Sequence, residues 1–368
     1  MRTNPKSASL LVLLAALAAC NEKNPQPAPV AAGLTATTND ARVVTLARAA
    51  LECTWTDDKG LDEKCPALEA WQGAAEVRDS SADTTLLELT RDPRPSVRWL
   101  GATALAGAEE SESTRALLRN PEQAKALIEV ARRETNPRVG RELGFAVAEI
   151  HLAPIEREPT IRELANTHPL PLLRAALVSR VLRHNPESFV WVATMARTEG
   201  HATVRHAAIG ALRFAPPERF GTTALLWLEL ARDKNADLAE KAASCCAFYE
   251  AICATEWDAL LDAMEARGGM PSALWNLFSR PKATSAQKAR AQRLVRAALE
   301  NTSQEDTTRS LALLVLADMD PALGVALATK YQADADVALT TSAEIVLKEH
   351  GDAGAPAAGK PDASAPRR

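Results

Sequence analysis

The stretch PSVRWLGATAL, residues 95–105, carries the reading of the fold. Val97, Leu100, Ala104 and Leu105 fall at i, i+3, i+7 and i+8, one face of an α-helix. The template returns down the chain. TVRHAAIGAL supplies Val204, Ala207, Ala208, Ala211 and Leu212, and TTRSLALLVL supplies Thr308, Leu311, Ala312, Val315 and Leu316. Leu173, Ala176, Leu177 and Val181 fit it with Arg180 breaking the i+7 place, and Val139, Leu143, Ala146 and Val147 fit less fully. Leu238, Ala242, Cys245 and Cys246 carry cysteines in the last two places, and Val337 with Ile345 makes a weak copy with Glu344 at i+7. The first positions Val97, Val139, Leu173, Val204, Leu238, Thr308 and Val337 are separated by 42, 34, 31, 34, 70 and 29 residues. The gap of 70 is a double step, which places a diverged copy near PSALWNLFSR, residues 271–280. A period of roughly 30 to 45 residues without strand signals predicts stacked helical hairpins.

The first helix of each hairpin has its own start signal. Asn120-Pro121-Glu122, Asn185-Pro186-Glu187 and Asp320-Pro321 each set a cap residue before a proline. The Asn or Asp oxygen accepts from free N–H groups, and proline at the first helical position sacrifices no hydrogen bond. Pro121 to Val139 and Pro186 to Val204 each span 18 residues, enough for a helix, a turn and the start of a second helix. Asn136-Pro137 repeats the cap at a second helix.

DPRPSVRWLGATAL, EGHATVRHAAIGAL and QEDTTRSLALLVL resemble the second helices of HEAT repeats, in the diverged bacterial form related to the repeats of phycobilin lyases. The resemblance covers most of residues 80–350. It implies an all-α fold, a right-handed α-solenoid of stacked helical hairpins with disordered tails. In such repeats the arginine after the valine commonly pairs with an aspartate of the turn and braces neighbouring repeats. That implies a pair between Asp92 and Arg98, whereas Gly140 and Ala239 stand where the arginine would be.

The chain has 368 residues, 46% hydrophobic and 24% charged, with a formal net charge of -4. Its Lys and Arg are spread rather than clustered, so no nucleic-acid partner is expected. Arg2 and Lys6 precede an apolar run, Ala8 to Ala19, too short for the roughly 20 residues that span a bilayer. The run ends in Leu17-Ala18-Ala19-Cys20, which resembles the lipobox of bacterial lipoproteins over all four positions. The resemblance implies a signal peptide over 1–19 and a lipid on Cys20, hence a membrane anchor in the bacterial cell envelope. By analogy with enterobacterial sorting, Asn21 after the cysteine implies the outer membrane, facing the periplasm, with surface exposure left open. Residues 20–39 read as the lipidated cysteine and a tether, 40–80 as an N-terminal helical cap, 81–350 as the repeat array and 351–368 as a disordered tail.

Cys53 and Cys65 enclose TWTDDKGLDEK, and a disulfide there would tie an N-terminal helical hairpin in an oxidising compartment. Asp57, Asp58, Asp62 and Glu63 miss calcium-loop spacing, and zinc lacks a second ligand pair. Cys253 lies seven residues past Cys246, too far for a bond along one straight helix. A turn near FYEAIC would allow Cys245 or Cys246 to reach it, leaving one cysteine buried and free. His201 and His206 are five apart, a poor same-face spacing, and read as turn or surface residues; His151, His168, His184 and His350 fall near predicted helix ends. Phosphate-loop, dinucleotide and nucleophile-elbow patterns are missing from the sequence, so no catalytic residue, metal or small-molecule cofactor is assigned. Trp191, Trp227 and Trp257 sit among apolar neighbours as core. Trp99 lies off the buried stripe, either packed against the adjacent repeat or on an exposed ridge; with Arg98, and with Arg205 of a later copy, it is the candidate binding surface. Stacked hairpins offer an extended surface, so the expected role is a scaffold for a protein or peptide partner. A structural spacer and a lyase-related enzyme are the alternatives.

Overall fold

The computed structural model describes residues 41–57, 60–62, 64–65, 80–106, 120–150, 154–253, 255–278, 283–304 and 306–351. The leader, Cys20, the tether and the tail beyond Gly351 lie outside the described residues, as does His151. The chain divides into two compact units between Leu117 and Leu118. Helices over 80–106 fall in the first of these units.

In the first unit, α1 (Ala41–Ala50) packs on α2 (Ser80–Leu89) and α3 (Pro95–Ala106). Val97, Leu100 and Leu105 of the opening stretch are fully buried. Gly101 brings α3 against the α2 backbone, since a Cβ there would lie 2.7 Å from the Leu86 carbonyl oxygen. Residues 66–79, on which half of the expected helical hairpin falls, lie outside the described residues; what is described is the segment between Cys53 and Cys65. It forms a two-stranded antiparallel ribbon, β1 (Trp55–Thr56) with β2 (Gly60–Leu61), Trp55 opposite Leu61. Gly60 at φ 83 supplies the left-handed backbone its turn requires.

Among the described residues, the second unit is a run of seven helix pairs: α4 (Pro121–Arg133) and α5 (Pro137–Ala148), α6 (Pro154–Thr167) and α7 (Pro171–His184), α8 (Phe189–Thr198) and α9 (Ala202–Ala211), α10 (Phe220–Leu230) and α11 (Ala236–Phe248), α12 (Trp257–Glu265) and α13 (Pro271–Phe278), α14 (Ser285–Glu300) and α15 (Asp306–Met319), α16 (Pro321–Tyr331) and α17 (Val337–His350). A single helical turn, Glu250–Cys253, lies between α11 and α12. Each second helix packs directly on the next, from α5 through α7, α9, α11, α13 and α15 to α17. The diverged copy at 271–280 takes its place in this row as α13.

Capping fixes the register of the second helices. Asn136, Asn235 and Asp336 accept from N–H groups of the first turn, and the third helical residue is then the first core residue: Val139, Leu238 and Leu339. Leu173 and Val204 hold the same place in α7 and α9. This rule corrects the reading of the last copy. Val337 is the first residue of α17 and is 79% exposed, while Leu339, Ala343 and Val346 are buried. Asn120 and Asp320 cap α4 and α16 as their sequences predict. Asn185 makes no such bond; Pro186–Ser188 is a 3-10 turn, and α8 starts at Phe189.

Candidate functional site: a groove across the second helices

The surface of the second-helix row is shaped by how its junctions are held. A Cβ at Gly144 would lie 2.6 Å from the Leu173 carbonyl oxygen, and one at Gly140 would lie 2.7 Å from Leu170 Cδ1. Only glycine lets α5 and α7 come this close. At the far end of the same junction, buried Glu149 accepts from Arg180 at 3.0 Å and contacts His184 Nε2 at 2.7 Å. Burial alone would raise the Glu149 carboxyl, but the His184 hydrogen bond and the adjacent positive charges outweigh it and hold the group below its ordinary pKa.

Other junctions use an arginine brace. Arg174 Nε donates to the Ala165 carbonyl at 2.7 Å and its Nη2 reaches Glu199 in the next turn. Arg205 Nε donates to the Ala196 carbonyl at 2.8 Å and pairs forward with Asp233. Arg309 donates to the Leu299 carbonyl and lies 3.7 Å from both Asp334 and Asp336. Each forward acid also accepts the N–H of the cap residue two places on: Glu199 from His201, Asp233 from Asn235 and Asp334 from Asp336. Where the brace position holds Gly140, that turn place is His168, whose Nδ1 accepts from the Leu170 N–H at 3.1 Å. Burial pushes the His168 imidazole below its usual pKa, which suits a neutral acceptor. Where it holds Ala239, the turn place is Gly268, at φ 75.

These contacts leave a groove of about 270 Å³ crossing α5, α7, α9 and α11. It is lined by Leu172, Ala175 and Ala176 of α7, Ala207 and Gly210 of α9 and Phe145 of α5. Arg141, His206, Arg213 and Lys241 also line it, and no lining residue is acidic. The Arg180 guanidinium lies 4.6 Å from the centre of the Phe145 ring, and Arg213 lies 4.5 Å from that of Phe214. Lys241 extends over Gly210, where a Cβ would lie 3.3 Å from its Cε. Arg141 lies 3.9 Å from its neighbour Glu142 and 5.6 Å from the centre of the Phe145 ring. Among the described residues, no carboxylate lies within ion-pair distance of Arg213 or Lys241. Desolvation and the Lys241 ammonium push the His206 imidazole below its usual pKa, against an opposing pull from Asp237.

The residues singled out in the sequence fall elsewhere. Trp99 is half-buried and packs on Trp55 of the first unit, with ring centres 6.1 Å apart. Arg98 donates to the carbonyls of Asp92 and Pro93, and the Asp92 carboxylate is instead held by Arg94. Arg205, the other candidate, acts as a brace, with its guanidinium engaged by the Ala196 carbonyl and by Asp233. Cys53 and Cys65 form a disulfide, as do Cys246 and Cys253. The helix breaks at Tyr249, bringing the Cα atoms of Cys246 and Cys253 to 5.5 Å. Cys245 is free, and burial raises its thiol to about 11. Trp227 and Trp257 are buried, whereas Trp191 is half-buried, with Arg162 stacked on its ring. Among the described residues, no group of three His, Cys, Asp or Glu could hold a metal ion. No described helix is long and apolar enough to cross a membrane.

The groove residues were missed because each is unremarkable alone. Aligning the copies by cap residue finds them: five places after the cap lie Arg141, Ala175 and His206, and nine places after it lie Phe145, Ser179 and Gly210.

No protein-family model matches this chain, and no curated protein sequence matches it. Among solved structures, it is similar to the Escherichia coli protein YibA at 16% identity, covering 78% of this chain and 98% of that one, with a TM-score of 0.43. It is also similar to an engineered protein at 16% identity, covering 85% and 92%, with a TM-score of 0.33. A second engineered protein has 19% identity, covering 74% and 98%, with a TM-score of 0.25. The helical-repeat fold rests on the helices described above.

Proposed function

We propose that this chain is an interaction scaffold of the bacterial cell envelope, lipid-anchored through Cys20 at the outer membrane, that binds a protein or peptide along its second-helix row. The observation that supports this reading is the unbroken row of second helices with a groove crossing four of them. Successive repeats that each bury only their neighbours leave such a row free for a ligand. The lipobox resemblance at Leu17 to Cys20 supports the address.

A photo-crosslinking residue at Thr203, in the groove, is compared in cells with one at Thr198 on a first helix. A discrete protein adduct from Thr203 and none from Thr198 is expected; no adduct from either, or the same adducts from both, overturns the scaffold. Cys20→Ser should release the protein from the membrane fraction. Unchanged membrane association overturns the anchor.

A further inference from the structure

We propose that the groove across α5, α7, α9 and α11 takes an extended acidic segment of a partner protein, with a carboxylate held between Arg213 and Lys241. This deepens the scaffold reading and rests on it.

The first argument is charge complementarity. The chain is acidic overall, at -4, yet the groove gathers Arg141, Arg213 and Lys241 with no acidic lining residue. Elsewhere in the array, arginines that face a junction are matched: Arg174 by Glu199, Arg205 by Asp233, Arg309 by Asp334 and Asp336. Arg213 and Lys241 face the groove without such a match. Two acids stand beside the lining rather than in it: Glu142 next to Arg141, and Asp237 a helical turn before Lys241, where its charge reaches His206. Side-chain cations at the mouth of a partly desolvated groove favour a carboxylate that brings its own hydrogen-bond acceptors.

The second argument is shape. The apolar lining is methyl-sized or smaller at Ala175, Ala176, Ala207 and Gly210, beside the larger Leu172 and Phe145. It accommodates backbone and small apolar side chains, which an inorganic anion lacks. A duplex nucleic acid needs a broad basic face to neutralise its phosphates, and a membrane surface needs the cations on a plane rather than inside a groove. Neighbouring helices pack about 8–10 Å apart, so four of them span roughly 27 Å, the length of about eight extended residues.

The test uses the full-length lipidated protein in detergent, probed with an array of random octapeptides and separately with phosphatidylglycerol vesicles. Bound octapeptides should be enriched in Asp and Glu. The R213E/K241E variant should lower binding of the best acidic peptide by about tenfold or more and turn the array towards Lys and Arg. R213Q/K241Q removes the charge more gently and should lower acidic binding in the same direction, with an unchanged thermal unfolding curve. Arg293→Glu, on α14 outside the groove, should change nothing. An array without acid enrichment, binding by R213Q/K241Q within about twofold of the parent, or vesicle binding without peptide binding overturns the proposal. A cellular adduct at Thr203 that survives R213Q/K241Q removes the acidic segment while leaving the scaffold standing.

Discussion

Helices α5 and α7 meet where Gly144 lies under the Leu173 carbonyl, whereas α8 and α10 meet through an exposed ion pair between Arg197 and Glu229. The contrast runs through the array. Second helices are joined by small residues, by buried Glu149 and by two-ended arginines. First helices are joined by contacts at the water's edge, such as Arg132 with Glu163 at 2.9 Å and Arg290 with Asp262 at 2.7 Å. Exposed pairs gain little because water screens them and long side chains lose freedom. One row therefore supplies cohesion, and the other adjusts to it.

Substitutions at four positions test that division. Gly144→Val puts branched carbons onto the α7 backbone and should cost about 3 kcal/mol or more, read as a lower urea midpoint. Glu149→Ala leaves Arg180 and His184 without their shared carboxylate and should cost about 3 kcal/mol. The pH dependence has a definite sign. The folded-state pKa of Glu149 is depressed, so its stabilisation is complete above the unfolded value and lost as pH falls through the folded one. Acid unfolding of the parent should be steeper than that of Glu149→Ala. Arg205→Ala removes one two-ended brace and should cost about 2 kcal/mol; Arg205→Lys should recover only part, since an ammonium cannot serve both ends as a planar fork does. Arg197→Ala, in the first-helix row, should cost about 0.5 kcal/mol or less, and that difference should vanish at high salt. A loss at Arg197 equal to that at Arg205 would break the contrast.

The helical period was legible because burial repeats it: Val97, Leu173 and Val204 each sit at zero exposure. The caps at Asn120, Asn136 and Asp320 were legible because the accepting side chain and the N–H that donates to it lie within a few residues. Val337 misled because hydrophobicity alone does not set register; the bond from Asp336 does. The ribbon at 55–61 was hidden between cysteines that fit either a helical or an extended pair. The groove was hidden for another reason. Arg141, Arg213 and Lys241 come from three repeats, and only stacking places them on one surface. The forward partners of the braces lie 25 to 28 residues ahead, a distance that no local pattern spans.

The match between brace and turn has a consequence for how such a chain can be shortened. Each matched pair belongs to a junction, not to a hairpin. Losing α8 and α9 whole would bring Arg174 to the turn that holds Asp233, another acid two places before its cap. Losing α6 and α7 would set Gly140 opposite Glu199, an acid with its brace gone. Hairpins are thus unequal units of deletion: some are excised with the seam intact, and others leave a charge stranded at the splice.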